Sequence, residues 1–287
     1  MRKFSHTKVL SYSRCPRIYQ KKYIEKIVPK KKSDALILGE GMAAGLAEFR
    51  SSGSPVSAVE EFVRITMNRG LIPEIETPSP KMFRSVKRGA EILEGYMKRH
   101  PDEPETIVLT EQRFAIPLTD TIIFEGKLDA ISKISTGLAL IEDKTTSRLG
   151  DSFFDMLKKS SQITWYLMAA NDLGLLDDKP KCILNAIYSN YAKLRYERDI
   201  TTKSIAKLED ARQNLKDLIQ NILDAELLNR FPKNNVDGGE CVKYGGCDYL
   251  ILCSNDTNKS MQERLKQSEF DSYEGGSSVT EIDQRDN

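Results

Sequence analysis

The chain has 287 residues, a net charge of +1 and an apolar share of 39%, which suits one large domain or two small ones with a proper core. No apolar run approaches a membrane span, and Met1-Arg2-Lys3-Phe4-Ser5-His6 holds no apolar signal region, so a cytoplasmic protein without membrane partners is expected. Five cysteines, an odd number, argue against a disulfide framework, and the two histidines, His6 and His100, disfavour Ser-His-Asp, Cys-His and His-rich zinc mechanisms.

Charge is unevenly placed. Between Arg2 and Lys32 the only acid is Glu25, and from Glu269 onward the chain is mainly acidic. A neutral total can therefore conceal a cationic face for a polyanion.

Residues 5–26 read as helical, with apolar positions at Val9, Leu10, Ile18, Tyr19 and Tyr23. Pro16 starts a helix better than it continues one, which places Cys15 at a helix junction. The basic run Lys21, Lys22, Lys26, Lys30, Lys31, Lys32 follows. It is either a solvated face or a contact for nucleic-acid backbone, where each lysine releases counterions. Residues 36–49 form a helix rich in small residues, and its glycines imply close packing against another element. Further helices are expected over 57–68, entered from Pro55, and over 80–100. The stretch 72–80 reads as a loop.

The pattern then changes to period two. Strands are expected over 106–116, 121–134 and 138–144, together an antiparallel meander. The second carries Gly126-Lys127-Leu128-Asp129 and the third Ile141-Glu142-Asp143-Lys144, with the turn Ser135-Thr136-Gly137 between them. Asp129 and Glu142 then lie on neighbouring strands, with Lys144 on the Glu142 face. Two carboxylates and a backbone carbonyl are hard ligands that suit Mg2+ or Mn2+, an ion able to activate water and neutralise charge on a phosphodiester. A lysine beside them can orient that water.

A helix over 153–173 puts Gln162 and Tyr166 on one face, four residues apart. A buried strand over 182–188, a polar partner over 193–200 and a long amphipathic helix over 201–228 complete the core, with Cys182 a core residue. The segment Cys241-Val-Lys-Tyr-Gly-Gly-Cys247-Asp-Tyr-Leu-Ile-Leu-Cys253 has two gaps of five residues. Three thiolates leave one ligand missing from a tetrahedral set, and Cys15 is the candidate fourth. All-thiolate ligation suits either Zn2+ or an iron–sulfur cluster, and gaps of this length shift the reading toward the cluster. Residues 256–287 read as a polar, acidic, disordered tail.

Asp129, Glu142-x-Lys144 and Gln162-x-x-x-Tyr166, in this order, resemble the core of the PD-(D/E)XK nuclease superfamily, specifically its RecB-type branch. Cys15-Pro16 with Cys241, Cys247 and Cys253 is similar to the iron–sulfur-stapled members: the AddB nuclease domain, CRISPR-associated RecB-like nucleases and phage exonucleases. The resemblance spans about residues 5–253. It implies an α/β, restriction-endonuclease-like core, a mixed sheet flanked by helices. Within a single nuclease domain over 1–255 it implies a helical part (1–100), a catalytic core (105–200) and a helix with the cysteine segment (201–255).

The resemblance also implies Mg2+ or Mn2+ on Asp129, Glu142 and the Asp143 carbonyl. Lys144, with Gln162 and Tyr166, would be catalytic, and a 4Fe–4S cluster would sit on the four cysteines. The expected activity is metal-dependent DNA hydrolysis, as an exonuclease of bacterial or phage recombination and repair. No Gly-x-x-x-x-Gly-Lys-Ser/Thr occurs, so a helicase or strand-annealing protein would be a separate partner. One departure stands out: where the family usually has a metal-binding histidine, four residues after Gly39, this chain has Ala43. That supports an alternative, a non-catalytic iron–sulfur DNA-binding or adaptor protein. A weaker alternative is a structural zinc protein.

Overall fold

The computed structural model describes residues 1–71, 85–147, 150, 152–189, 193–234, 239–242 and 246–273. It is a mixed α/β fold. The described residues pack as two compact units, one drawn from Met1–Lys32, Ala115–Gly126 and Arg212–Asn287, the other from Ser33–Phe114 and Lys127–Ala211.

The chain opens with strand β1 (Arg2–Phe4), helix α1 (His6–Arg14) and helix α2 (Pro16–Tyr19). Ser5 caps α1 by accepting from the Lys8 N–H, and Cys15 is extended between the helices, with Pro16 at the first position of α2. A π-helical turn (Gln20–Ile24) and strand β2 (Ile27–Pro29) follow. Neither β1 nor β2 is legible as a strand, since three residues carry no period.

Helix α3 (Asp34–Ser52) is capped by Ser33 and ends at Gly53, whose φ of 69° is the left-handed conformation glycine adopts freely. Helix α4 (Pro55–Asn68) is capped by Ser54. The glycines of α3 do what their density implied. A Cβ at Gly45 would lie 2.5 Å from Leu93 Cδ2 and 3.0 Å from the Ala58 carbonyl oxygen. Helix α5 (Val86–Arg99) covers the described part of the helix expected over 80–100, and the loop expected over 72–80 lies outside the described residues. Phe62, Met42, Leu46, Ile92, Leu93 and Tyr96 form the core of this unit.

After the short helix α6 (Glu103–Thr106) come β3 (Ile107–Thr119), β4 (Ile122–Ile134) and β5 (Gly137–Thr146). Helix α7 (Phe153–Lys158) and helix α8 (Ser161–Asp172) replace the single helix expected over 153–173. The break falls at Ser160, whose hydroxyl accepts from the Gln162 N–H at 3.2 Å and so starts a new helix. Strands β6 (Lys181–Ser189) and β7 (Leu194–Thr202) and helix α9 (Ile205–Leu227) follow, with Thr201 and Thr202 in β7 rather than in the helix.

The sheet order is β1-β4-β5-β6-β7, with β3 also on β4. β4 and β5 are antiparallel, β5 and β6 parallel, β6 and β7 antiparallel. The expected meander is thus the edge of a larger mixed sheet, and α7 and α8 form the crossover that a parallel β5–β6 pair requires.

The chain continues with α10 (Gly239–Val242), α11 (Leu250–Ser254), α12 (Lys259–Glu269) and β8 (Phe270–Ser272). Residues 259–272, read from sequence as part of a disordered tail, therefore form a helix and a strand. Asn258 caps α12, β8 pairs with β2, and Phe270 stacks on Tyr249 in a small core with Leu252. Residues 274–287 lie outside the described residues. No helix among the described residues is long and apolar enough to cross a membrane.

Candidate active site

The β4–β5 ladder ends at Ala130↔Ile141. One step further, Asp129 stands opposite Glu142, and the Asp143 N–H donates to Asp129 Oδ2 at 2.9 Å. Alternation puts Glu142 and Lys144 on one face of β5 and Asp143 on the other. On the first face, the Lys144 ammonium pairs with Glu142 Oε1. Glu142 is 1% exposed, and its Oε2 is buried without a hydrogen-bond partner. Asp129 is pushed up to about 7, by burial first and then by the Glu142 and Asp143 charges. Burial pulls Lys144 down, but Glu142 and Asp129 outweigh it and hold the ammonium above its ordinary value.

Asp129 and Glu142 share the Lys144 ammonium, the nearby Lys127 feels Asp129 but is paired with Glu111, and one buried oxygen has no partner. Those are the marks of a place for a cation, so the donor set fits Mg2+ or Mn2+ on Asp129, Glu142 and the Asp143 carbonyl. The described residues hold no group of three or more His, Cys, Asp or Glu side chains arranged for a metal ion.

Tyr166 lies near the same carboxylates, and Gln162 reaches Tyr166. The Tyr166 hydroxyl is pushed up by burial and by the charges of Glu142 and Asp129, with a side-chain hydrogen bond from Gln162 opposing that shift. Its ring meets Phe114 edge-on, centroids 5.5 Å apart. Cys182 is buried close enough to feel the same carboxylates, and its thiol is pushed up.

On the opposite face, Asp143 sits in a network that sequence reasoning missed. Arg50 grips its carboxylate at 2.6 and 2.9 Å and reaches Glu103 Oε1 at 2.6 Å. Asn185 Nδ2 donates to Asp143 Oδ1 at 2.6 Å and to the Tyr96 hydroxyl at 2.7 Å, and that hydroxyl donates to Glu103 Oε2 at 2.7 Å. Arg198 pairs with Glu103. Burial raises Asp143, but Arg50 outweighs it, and the carboxyl is held below its usual range. The available signals were a lone Asn185 within an apolar strand and an arginine on the buried face of α3.

In the other unit, Cys15, Cys241, Cys247 and Cys253 line one cavity of about 130 Å³, with Arg17 and Lys233 on its wall. The Asn234 N–H points at Cys15 Sγ, 3.3 Å away. The thiols of Cys247 and Cys253 are pushed up chiefly by burial. Of the basic run, Lys21 is 5% exposed and its ammonium is held by Glu25 at 2.9 and 3.0 Å. It is thus removed from the surface expected to meet a polyanion, because its helical turn faces inward. Lys22 lies over the rings of Tyr23 and Tyr273, Lys30 donates to the Gln267 carbonyl, Lys31 is exposed and Lys32 is partly buried.

The mixed sheet flanked by helices is a restriction-endonuclease-like core. The family model of the PD-(D/E)XK nuclease superfamily matches residues 3–254, and the chain belongs to that superfamily. A crystal structure of a Eubacterium rectale protein, provisionally described as an exonuclease, is similar in fold, with a TM-score of 0.56. The two share 11% identity over 89% of this chain and 92% of that one. The structure of SSO0001 covers 76% of this chain and 75% of its own at 14% identity, with a TM-score of 0.32. No curated protein matches the sequence.

Proposed function

We propose that this protein is a metal-dependent deoxyribonuclease of the RecB-type branch, acting as an exonuclease in recombination or repair. The observation that carries the reading is the buried, unpartnered Glu142 Oε2, on a carboxylate that pairs with the Lys144 ammonium and whose charge Asp129 feels. Asp129, Glu142 and the Asp143 carbonyl would hold Mg2+ or Mn2+. When bound there, the ion supplies an activated water and neutralises charge on the phosphodiester. Lys144 keeps its proton and donates a hydrogen bond to the attacking water or to a phosphate oxygen, where negative charge develops. Tyr166, kept neutral, and Gln162 offer further donors to the same phosphate. Lys22, Lys30, Lys31 and Lys32 remain candidates for backbone contacts outside the site.

The four cysteines would hold a 4Fe–4S cluster. Four thiols on one cavity support a metal group there, and the five-residue gaps between Cys241, Cys247 and Cys253 favour the cluster over a single zinc ion. A backbone N–H on Cys15 Sγ suits the cluster's negative charge, and Arg17 and Lys233 on the wall outnumber the single acid there, Glu240. Its role would be to tie distant segments together and support DNA binding.

End-labelled linear single- and double-stranded DNA, incubated with anaerobically purified protein and Mg2+ or Mn2+, tests the reading. Wild type should cleave and Lys144→Ala should not, while both fold. Cleavage by Lys144→Ala would sink the assignment. DNA binding without cleavage by wild type would favour the adaptor reading, for which Ala43 is the specific observation.

A further inference from the structure

We infer that Arg50 is a positioning residue for the metal site, acting on it through the main chain of Asp143. The inference rests on the nuclease reading above. Asp143 stands where the β4–β5 ladder has already ended, so main-chain hydrogen bonds to β4 no longer hold it from that side. Its peptide nevertheless has a demanding task. The N–H orients Asp129 Oδ2, and the carbonyl on the other side of the same Cα is the third candidate ligand. A rotation of this backbone by a few tens of degrees would move both together.

The parallel ladder to β6 holds β5 along its other edge, with Asp143 opposite Asn185, and on the β4 side the Asp143 side chain adds the restraint the lost ladder would have given. Both carboxylate oxygens of Asp143 are engaged, by the two Nη atoms of Arg50 at 2.6 and 2.9 Å and by Asn185 Nδ2 at 2.6 Å. The guanidinium is itself immobilised. Its side chain is 1% exposed, and its Nε is fixed on Glu103, which also takes Tyr96 and Arg198. A planar fork on a carboxylate fixes orientation as well as distance.

The charges say what the network is for. Arg50 and Arg198 balance Asp143 and Glu103, so it offers a cation nothing. The face of Asp129 and Glu142 is short of positive charge. The network is therefore a mount behind the site and no second site. Removing outer partners of metal ligands commonly weakens metal affinity by about 10- to 100-fold.

Mn2+ titration by calorimetry, with Mn2+-induced change in Tm, on the full chain tests this. The variants are Arg50→Lys, which keeps the charge and loses the fork, and Asp143→Asn, which keeps the shape. Arg198→Lys serves as a control that loosens the network at Glu103 and Tyr96, since Arg198 reaches Asp143 only through a long contact to Asn185. Arg50→Lys and Asp143→Asn should each bind Mn2+ at least tenfold more weakly, and cleavage should recover as Mn2+ is raised. Arg198→Lys should lower Tm and leave Mn2+ affinity within twofold. Wild-type affinity in either of the first two overturns the proposal, and so does an equal loss in Arg198→Lys, which would mark a merely structural role. Should Arg50→Lys not fold, Asp143→Asn alone decides between these outcomes. Failure of wild type to bind Mn2+ would instead strike the nuclease reading itself, and the proposal with it.

Discussion

The Asp143 N–H donates to Asp129 Oδ2 at 2.9 Å, one step past the last ladder pair of β4 and β5. A side chain has taken a main-chain donor at the place where two strands part. The hydrogen bond fixes the Asp129 carboxylate, which feels the charge of Glu142 on the neighbouring strand. Everything proposed for catalysis depends on these two carboxylates staying close and fixed.

Neutralising one carboxylate should stabilise the metal-free protein. Asp129→Asn leaves the Glu142–Lys144 pair intact and removes the carboxyl that burial and the neighbouring charges push up to about 7. Its Tm without metal should rise by about 2 °C, for a gain of about 1 kcal/mol, and Mn2+ should add nothing further. Wild type should start lower and rise with Mn2+. Thermal melts with and without Mn2+ check this, and a lower metal-free Tm in the variant would show that the site is not short of positive charge.

The cysteine cavity should be loaded. Anaerobically purified wild type should be brown, with iron and sulfide in equal amounts of about four per chain. Cys15→Ser and Cys247→Ser should each lose the colour and most of the iron, and become easier to digest with protease. Zinc without sulfide, measured by metal analysis, would replace the cluster with a single ion.

The glycine face of α3 should not tolerate a methyl group. At Gly45 the added Cβ meets a leucine methyl at 2.5 Å and a backbone oxygen at 3.0 Å, and the backbone has little room to move. Gly45→Ala should cost about 1–3 kcal/mol through overpacking, despite alanine's better helix propensity. Urea denaturation measures it, and an unchanged midpoint would mean that α3 shifts freely on α4.

His100 should make stability fall in acid. Burial, then the charge of Arg198, pulls its pKa from the ordinary 6.5 down to about 4, and its ring packs on Tyr96. Between those two values the unfolded chain binds the proton and the folded chain does not. The contribution is complete above pH 6.5 and is lost as pH falls toward 4. Solvent screening of this half-buried ring reduces it to about 1 kcal/mol. His100→Phe should flatten the wild-type difference across that window in denaturation at graded pH. A parallel fall in both proteins would place the acid sensitivity elsewhere.

Legibility in the sequence followed contact range. Asp129, Glu142 and Lys144 were readable because one hairpin brings them together, and a hairpin's register follows from a local turn and period-two alternation. Gln162 and Tyr166 were readable as a helical pair. Arg50, Tyr96, Glu103, Asn185 and Arg198 were not, because six elements must pack before their side chains meet. Lys21 was misread for the opposite reason. A basic run looks solvated until a π-helical turn puts one of its lysines inward against Glu25.

By itself the sequence determined the strand–turn–strand that carries the acidic pair and its lysine, the helix junction at Cys15, the glycine-packed helix and the superfamily. These are properties of short segments, set by spacing, turn chemistry and proline or glycine backbone limits. Only the tertiary structure decided that the meander is the edge of a mixed sheet. It also decided that residues 259–272 form a helix and a strand, the strand paired with β2, that four thiols share one cavity, and that a neutral arginine–carboxylate network backs the Asp143 main chain. Each of those is a contact between residues far apart in the chain, whose energy exists only once the intervening elements have paid their ordering entropy and packed.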